Sequence, residues 1–389
     1  MNVHAVISEF NPFHNGHKHL VDSIKQGGGA VVAVMSGSLV ERGDVAVIDK
    51  YARAEAAVLS GVDLVLELPA PWCFAGAEFF ALGGISVANG IGIVDTLTFG
   101  SESGDIDSLK LCAERLSSPE FILSLSAARE AHRDMGIAKL RRDVYEKLYG
   151  VNEHFNGSND LLALEYIRAL KRLGSDITPH AIKRIGEMYN SNELTEICSA
   201  TAIRAALSDG IDKLSRYMPR ESFGILLREI TAGRRYELSR LDTAIIARLR
   251  TSTPEELSST MEITAGMENR LTSLACKYRS TDELVSAAKG KHYSESRLRR
   301  AMIASLLGIT MKHIEVPPLF TNVLAANSCG RELLGLTRKL TSITVLSKMS
   351  DANKLSGEAA EQYERHMKAE RLCELCCANE PRRIGAVMI

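Results

Sequence analysis

The chain has 389 residues, 45% of them hydrophobic and 24% charged, which is typical of a globular protein long enough for two domains. Its formal net charge of −1 excludes a general attraction to nucleic acid, so any polyanion site must come from locally clustered charges. No apolar run reaches the roughly 18 residues of a membrane span, and the N-terminus MNVHAVISEF lacks the pattern of a signal peptide. We therefore expect a cytoplasmic protein that does not enter membranes.

The first hundred residues alternate between strand and helix patterns. Strands are predicted at VHAVIS, GAVVAVMSG, VDLVLELP and VDTLTFGSE, with helices between them at GHKHLVDSIKQ, KYARAEAAVLSG and AGAEFFALGGISVANG. Apolar strands separated by helices of this length predict a parallel sheet with right-handed crossovers. The fold class is therefore α/β, and we expect the first strand to end between Glu9 and Asn11.

Residues 105–174 have mainly helical patterns. The last of these helices, NDLLALEYIRALKRLG, begins beside Ser158 and Asn159, either of which is expected to cap it. ITPHAIKRI, residues 177–185, predicts a fifth strand of the same sheet.

Strand patterns almost vanish after about residue 215. Helical patterns replace them, in SFGILLREI, LDTAIIARL, MENRLTSLACKY and RLRRAMIASLLG. We predict two domains: an α/β catalytic domain over residues 1–215 and an all-α domain over residues 216–389.

A loop rich in histidine follows the first predicted strand, in EFNPFHNGHKHL, residues 9–20. Ligands of a parallel sheet bind beyond the carboxyl ends of the strands, where helix N-termini attract anions. Gly16 lets a phosphate approach the backbone, and His14 and His17 are spaced to lie on one side of the turn. Imidazoles can donate hydrogen bonds to an oxygen that gains charge as pyrophosphate leaves, which predicts nucleotidyl transfer. The alternative is that these histidines only cap a helix or lie in a surface turn.

A second phosphate-directed motif is SATAIR, at the start of a helix predicted over residues 199–210 and entered through Ser199 or Thr201. The hydroxyls and the helix N-terminus are suited to the β and γ phosphates, and Arg204 is suited to the departing pyrophosphate as a bidentate donor. Two such motifs in one domain favour catalysis over a structural role for the histidines.

Seven segments of the chain occur together in one known family. They are, in order, EFNPFHNGH, MSGSLVERGD, KYARAEAAVLSGVDLVLELP, TFGSESGD, SNDLLALEYIRAL, KRIG and SATAIR. This series resembles the bacterial tRNA(Met) cytidine acetate ligase family, a branch of the HxGH nucleotidylyltransferases with a Rossmann-like parallel sheet, over roughly residues 3–210. The chain departs from that pattern where it lacks the glycine upstream of Glu9, and where it has Glu41 and Val45 in place of the usual glutamine and proline.

The resemblance implies an enzyme that uses ATP, with Mg²⁺ carried on the nucleotide, to form acetyl-adenylate from acetate. The acetyl group then passes to the wobble cytidine of elongator tRNA(Met), giving N4-acetylcytidine. The expected catalytic residues are His14, His17 and Arg204. The expected ATP-binding residues are Ile7, Ser8, Glu9, Phe10, Asn11, Pro12, Phe13, His14, Asn15, Gly16, His17, Lys18, His19, Leu20, Gly100, Asn159, Arg184, Ile185, Ser199 and Thr201.

Two clusters of cations are further candidates for substrate binding. The segment KGKHYSESRLRR predicts a track for the RNA backbone within the helical domain, or else a solvated helix face. Its expected tRNA-binding residues are Lys289, Lys291, Arg297, Arg299 and Arg300. In ERGDVAVIDKYAR, Arg42, Lys50 and Arg53 are candidates for acetate, phosphate or tRNA, or for an ordinary charged surface.

Other functions remain to be weighed. A small-molecule nucleotidylyltransferase of cofactor biosynthesis would not need the helical half, and a non-catalytic RNA-binding protein would not need both histidines. SKMSD resembles the lysine loop of class I aminoacyl-tRNA synthetases, but Asp351 replaces its second lysine. The single CxxC in RLCELCCANE is weak evidence for zinc, so we predict no metal held by the protein itself. The oligomeric state, the acyl-group selectivity and the base for acetyl transfer stay open.

Overall fold

The structure is a computed structural model that describes residues 1–132, 135–184, 199–207, 210–290, 293–381 and 385–389. Its strands are β1 Val3–Ser8, β2 Ala30–Ser36, β3 Leu39–Val40, β4 Asp44–Val45, β5 Leu64–Leu68, β6 Thr96–Ser101, β7 Thr178–Lys183, β8 Phe320–Ala326, β9 Thr344–Leu346 and β10 Val387–Met388. Its α-helices are α1 Asn15–Gln26, α2 Lys50–Leu59, α3 Ala77–Gly90, α4 Ile106–Leu116, α5 Pro119–Ala131, α6 Ile137–Tyr149, α7 Ser158–Leu173, α8 Ala200–Ala206, α9 Arg220–Thr231, α10 Asp242–Thr251, α11 Pro254–Ser258, α12 Met267–Ala275, α13 Thr281–Ala288, α14 Glu295–Leu307, α15 Lys312–Glu315, α16 Ser328–Leu340 and α17 Gly357–Glu374.

One main sheet organises the described residues, in the strand order β10-β8-β5-β2-β1-β6-β7, with β9 also beside β8. The five strands β5, β2, β1, β6 and β7 are parallel to their neighbours within that group, as the sequence predicts. Their carboxyl ends therefore lie along the same edge of the sheet, where the loops that follow β1 and β6 begin and where Arg184 follows β7. Strands β3 and β4 form a separate short hairpin.

Helices cover both faces of this sheet, which explains why its central strands have continuous apolar sequences. Every residue of β2 is buried. Because side chains alternate along a strand, Val32 and Val34 belong to a core that includes residues of α3 and α7, whereas Val31 and Met35 belong to a second core with residues of α1, α2 and α9. The loops at the carboxyl edge therefore rest on a rigid base.

The second half of the chain is mostly helical, as predicted, but it is not all-α. Strand β8 pairs antiparallel with β5, and β9 and β10 pair parallel with β8. The sequence analysis missed them because a short apolar run such as FTNVLAA does not distinguish a buried strand from a helix segment, and helical patterns surround it. Residues beyond 215 therefore extend the catalytic sheet.

The start of α7 also differs from the prediction, since neither Ser158 nor Asn159 is its cap. The capping position belongs to Gly157, whose lack of a side chain leaves two backbone N–H groups of the first turn without a local acceptor. Glu102 supplies the acceptors: its carboxylate accepts from the N–H of Asn159 at 3.1 Å and from that of Asp160 at 2.7 Å. A residue distant in sequence therefore positions Asn159.

Among the described residues, no helix combines the length and apolar character that crossing a membrane requires.

Candidate active site

A cavity of about 460 Å³ opens at the carboxyl ends of β1, β6 and β7. Many of the residues proposed from the sequence line it, namely Ile7, Ser8, Glu9, Phe10, Asn11, His14, Gly16, His17, His19, Leu20, Gly100, Asn159, Arg184 and Ser199. They come from five separate stretches of the chain, and the parallel sheet brings them to one edge. The volume lies within the range of small-molecule and cofactor sites.

Six other proposed residues do not line this cavity: Pro12, Phe13, Asn15, Lys18, Thr201 and Arg204. Phe13 packs in the core, the Asn15 amide donates to the carbonyl of Arg216 at 3.0 Å, and Lys18 pairs with Asp22. Ile185 lies outside the described residues. A motif therefore identified the loop correctly without telling which of its side chains face inward.

His14 and His17 cap helix α1, and the caps determine which ring nitrogen faces the ligand. The Nδ1 atom of His14 accepts from the N–H of Gly16 at 3.0 Å, and that of His17 accepts from the N–H of His14 at 3.3 Å. In a neutral imidazole with an accepting Nδ1, the proton is on Nε2. Both rings line the cavity, with centroids 3.8 Å apart. Capping α1 is therefore compatible with binding a phosphate, because the cap leaves the Nε2–H group of each ring as a donor.

The surroundings keep both imidazoles neutral in the ligand-free protein. Burial, followed by the charges of Arg184 and Arg204, lowers the pKa of His14 to about 3. Burial, the neighbouring His14 and Arg184 lower the pKa of His17 well below its usual value. The two rings are therefore neutral hydrogen-bond donors rather than fixed cations, and a polyanion bound beside them would raise both pKa values.

Three donors from outside the motif hold the loop between β1 and α1 by its carbonyl groups. Arg53 donates to the carbonyl of Glu9 at 2.6 Å, Arg204 to that of Asn11 at 2.7 Å, and Ser222 to that of Phe13 at 2.7 Å. Arg204, expected from the sequence to contact pyrophosphate, thus holds the loop in this structure. Arg53 is buried and also bonds the carbonyls of Ser36 and Gly37, so its side chain is not available for the substrate binding considered above.

Gly100, Asn159 and Arg184 form one wall of the cavity. A Cβ on Gly100 would lie 3.2 Å from Cγ of Arg184, so the glycine leaves room for that side chain. Arg184 donates to Oδ1 of Asn159 at 3.4 Å, and the amide of Asn159 donates to Glu102 at 2.6 Å. Arg184 is therefore positioned through a chain of hydrogen bonds that begins at β6.

Sequence reasoning missed the apolar part of the cavity lining. Its side chains come from α3, β6 and α7: Phe80, Phe99, Leu161, Leu162 and Tyr166. The pattern of an amphipathic helix is the same whether its apolar face meets a core or a ligand, so periodicity held no signal for these residues. Glu41, Lys183 and Ser296 are further lining residues outside the predicted set, and Arg42, a candidate from the sequence, also lines the cavity.

The predicted basic segment is mostly ion-paired. Arg300 is buried and donates to Glu41 at 3.1 Å and to Glu262 at 2.9 Å, so its expected contact with tRNA is wrong for this arrangement. Its place is the contact between α14 and the β3–β4 hairpin. Arg297 donates to the carbonyl of Glu262 at 3.0 Å.

Two other members of the basic segment also lie beside carboxylates. Arg299 pairs with Asp282 at 2.6 Å, and Lys289 lies 3.6 Å from Glu295 with more than half of its side chain exposed. Lys291 lies outside the described residues.

A buried cluster of charges lies away from the cavity, between β5 and α17. Nζ of Lys50 is 2.7 Å from Glu67 and 2.9 Å from Glu370, and His366 is 3.3 Å from Glu67. In the part of the chain that the structure describes, the two carboxylates and this histidine are the one group spaced to hold a metal ion, but the Lys50 ammonium already provides the cation. Lys50, considered above for substrate binding, is therefore structural.

Two other motifs from the sequence lie apart from the cavity. No residue of SKMSD lines it, and Asp351 instead bonds the backbone of Ser347 and Lys348. Cys373 and Cys376 are buried, and burial raises the pKa of the Cys376 thiol to about 12, which disfavours the thiolate that zinc requires.

Comparisons with known proteins agree with this geometry. A family model described as HIGH Nucleotidyl Transferase matches residues 1–385. The tRNA(Met) cytidine acetate ligase of Acetivibrio thermocellus is 35% identical over 373 residues, covering 90% of this chain and 89% of that protein. The chain belongs to the tRNA(Met) cytidine acetate ligase family. Another member, from Caldanaerobacter subterraneus subsp. tengcongensis, is 33% identical and covers 97% of this chain and 96% of its own length.

A solved structure of a family member extends the likeness to the whole fold. Thermotoga maritima TmcAL bound with alpha-thio ATP is 30% identical, with a TM-score of 0.91 and full coverage of both chains. Because the match includes both halves, the strands that residues beyond 215 add to the sheet belong to the family's architecture. The resemblance predicted from seven motifs is therefore confirmed, as is the α/β nucleotidyltransferase fold.

Gly100 offers a direct test of the cavity as a nucleotide site in this family member. Gly100→Val should weaken ATP binding by about tenfold or more, because the added side chain meets Arg184 and narrows the wall. Calorimetric titration with ATP measures this, and Gly224→Val on α9, where an added Cβ has open space, is the control. Equal ATP affinity in both variants would place the nucleotide elsewhere.

Proposed function

We propose that this protein activates acetate with ATP and acetylates the wobble cytidine of elongator tRNA(Met) to N4-acetylcytidine. The observation that carries the proposal is the pair of imidazoles that cap α1 in the loop after β1. The chain is similar over its length to proteins named for this activity. Their Nε2–H groups and the N-terminus of α1 suit the oxygens that gain charge when a triphosphate is cleaved.

In the first step, an acetate oxygen attacks the α-phosphorus of ATP and pyrophosphate leaves. Acetate is already ionised, so this step needs orientation and charge neutralisation rather than a base. His14 and His17 donate to the phosphates, Gly16 lets the phosphates approach the backbone, and Arg184 adds a positive charge to the cavity. Mg²⁺ would ride on the triphosphate, because the carboxylates that line the described cavity, Glu9 and Glu41, do not form a cage for it.

In the second step, the exocyclic amine of cytidine attacks the acetyl carbonyl of acetyl-adenylate. A C–N bond forms, the bond from the acetyl carbon to the phosphate oxygen breaks, and AMP leaves with the electron pair. Ser296 at the start of α14 lines the same cavity, so the second half of the chain borders the place where the cytidine must arrive. We therefore propose that residues 1–215 form the ATP-binding and catalytic part and that residues 216–389 form the part that binds tRNA. We expect this reaction to take place in the cytoplasm.

One assay tests the reaction directly. The protein is incubated with ATP, labelled acetate and bulk bacterial tRNA, and the RNA is then digested to nucleosides. Label in acetylated cytidine, dependent on ATP, is the expected result. Label in a small nucleotide product with none in tRNA would favour the cofactor-type nucleotidylyltransferase instead.

The proposed RNA track is tested at Lys289. Lys289→Glu should weaken retention of tRNA on a filter for all tRNA sequences alike and reduce the dependence of log K on log salt by about one unit, as expected for one lost phosphate contact. Lys339→Glu on α16 makes the same charge change on an exposed helix outside the cavity and is the control. If both variants retain tRNA equally, the segment around Lys289 is a solvated face.

A further inference from the structure

A carboxylate stands in a cavity that is otherwise suited to anions. Glu9 follows β1 directly and lines the cavity with His14 and His17. The reacting groups of both first-step substrates, the phosphates of ATP and the carboxylate of acetate, are negatively charged, so Glu9 does not neutralise charge in that step. Its presence is better explained by the second step, in which a proton must be removed.

A hydrogen bond fixes one carboxylate oxygen of Glu9, and the other oxygen is available to accept a proton. Its backbone carbonyl accepts from Arg53 at 2.6 Å, and its Oε1 accepts from the backbone N–H of Glu41 at 2.8 Å. Because this second donor is a main-chain group, it does not depend on which side chain residue 41 carries. Among the described residues, none donates a hydrogen bond to Oε2 of Glu9.

The other candidate proton acceptors of the cavity are already engaged. The Nδ1 atoms of His14 and His17 accept backbone N–H groups, so their Nε2 atoms carry protons and have no free lone pair. The carboxylate of Glu41, unlike that of Glu9, is held in an ion pair with the buried guanidinium of Arg300, which donates to its Oε1 at 3.1 Å. The exception is His19, which also lines the cavity and is the remaining competitor for this role, so it is included in the experiment below as the matched comparison.

We propose that Glu9 is the catalytic base of acetyl transfer, with Oε2 taking the proton that the cytidine amine loses as it bonds to the acetyl carbon. This inference rests on the proposed function and adds a residue to its second step. The proton moves from nitrogen to the carboxylate as the C–N bond forms and AMP departs, and it then passes to solvent.

The decisive experiment separates the two steps in the full-length protein carrying Glu9→Gln. Glutamine keeps an oxygen for the Glu41 N–H but cannot take up the proton. Adenylation is followed as acetate-dependent pyrophosphate exchange without tRNA, and transfer as a single turnover from supplied acetyl-adenylate to tRNA. We expect transfer to slow by about 10²-fold or more, and by at least about tenfold more than adenylation does.

Each other outcome overturns the inference. Equal losses in both steps would make Glu9 a positioning residue of the loop, and normal transfer would remove it from the chemistry. His19→Ala is the matched comparison, and a loss of transfer in that variant with normal transfer in Glu9→Gln would assign the base to His19.

Two further measurements do not depend on how well Glu9→Gln folds. In the unaltered protein, the transfer rate should fall as the solution is acidified, whereas a transfer rate that does not change with pH contradicts the inference. In Glu9→Ala, added formate should restore part of the transfer rate. The proposed function fails in a distinguishable way, because the unaltered protein would then form no acetylcytidine from either ATP and acetate or supplied acetyl-adenylate.

Discussion

His17→Ala is expected to reduce acetyl-adenylate formation by about 10²- to 10³-fold, because it removes a preorganised donor at the point where the triphosphate breaks. The variant also loses the Nδ1 acceptor that bonds the N–H of His14, so the neighbouring ring is less well held. Two donors of one site are therefore disturbed by one substitution. Retention of tRNA on a filter should remain nearly intact, since the proposed RNA track lies on another part of the chain.

Pyrophosphate exchange measures the first effect and urea unfolding separates it from a structural one. Loss of the helix cap alone costs about 1 kcal/mol of unfolding free energy, too little to empty the folded state of a typical domain. His180→Ala, on an exposed position of β7 outside the cavity, is the control and should keep full exchange. Loss of both exchange and tRNA retention in His17→Ala would mean that the loop is a structural element.

Lys50→Ala is expected to lower the free energy of unfolding by about 3 to 5 kcal/mol, the usual cost of leaving a buried charge without its partner. Glu67 is fully buried, and its remaining polar contacts, with Asn322 at 2.6 Å and His366 at 3.3 Å, do not replace a fixed positive charge. Lys18→Ala removes a lysine from a largely exposed pair with Asp22 and should cost at most about 1 kcal/mol. Urea unfolding of both variants gives the comparison.

The pH dependence of the same variants supplies a second check. Burial alone would raise the pKa of Glu67, but the charge of Lys50 and contacts from His366 outweigh it and hold the pKa well below its usual value. A carboxyl whose pKa is depressed by folding stabilises the protein above its unfolded pKa of about 4.3, and this contribution disappears as the pH falls through the folded pKa. In Lys50→Ala, protonation of Glu67 instead stabilises the folded protein, because it removes a buried charge that no longer has its lysine partner. The difference in unfolding free energy between the unaltered protein and Lys50→Ala should therefore shrink below about pH 4. A difference that does not change with pH would show that Lys50→Ala loses stability through packing.

The chemistry of the site was predictable where it depends on neighbours in sequence. The loop from Glu9 to Leu20 combines a strand end, a helix start and two imidazoles within a dozen residues, and local spacing was enough to predict that this loop borders a cavity at the sheet edge. Ser199 caps α8 as one of the two expected residues. The apolar part of the cavity lining, which includes Phe80, Leu161 and Tyr166, was not predictable. Nothing in a helical pattern distinguishes a side chain that faces a ligand from one that faces the core.

Charged residues were the least predictable from sequence. Lys50, Arg53 and Arg300 resemble surface cations in their local sequence, yet each is buried against carboxylates or carbonyl groups from distant segments. The energetic reason is that a buried charge is tolerated only with partners that satisfy it. One such partner is more than a hundred residues away for two of these cations, Glu41 for Arg300 and Glu370 for Lys50. No periodicity along the chain reports such a pairing.

The sequence by itself determined the alternation of strands and helices over the first hundred residues and the nucleotide loop, because these depend on side-chain period and on groups a few residues apart. The tertiary structure alone decided that both halves of the chain contribute strands to one sheet and which cations are buried. It also decided which ring nitrogen of His14 and His17 accepts a backbone N–H and which one is left for the cavity. These features depend on contacts between residues far apart in the chain, and their energy is realised only when the folded backbone brings both partners to the same place.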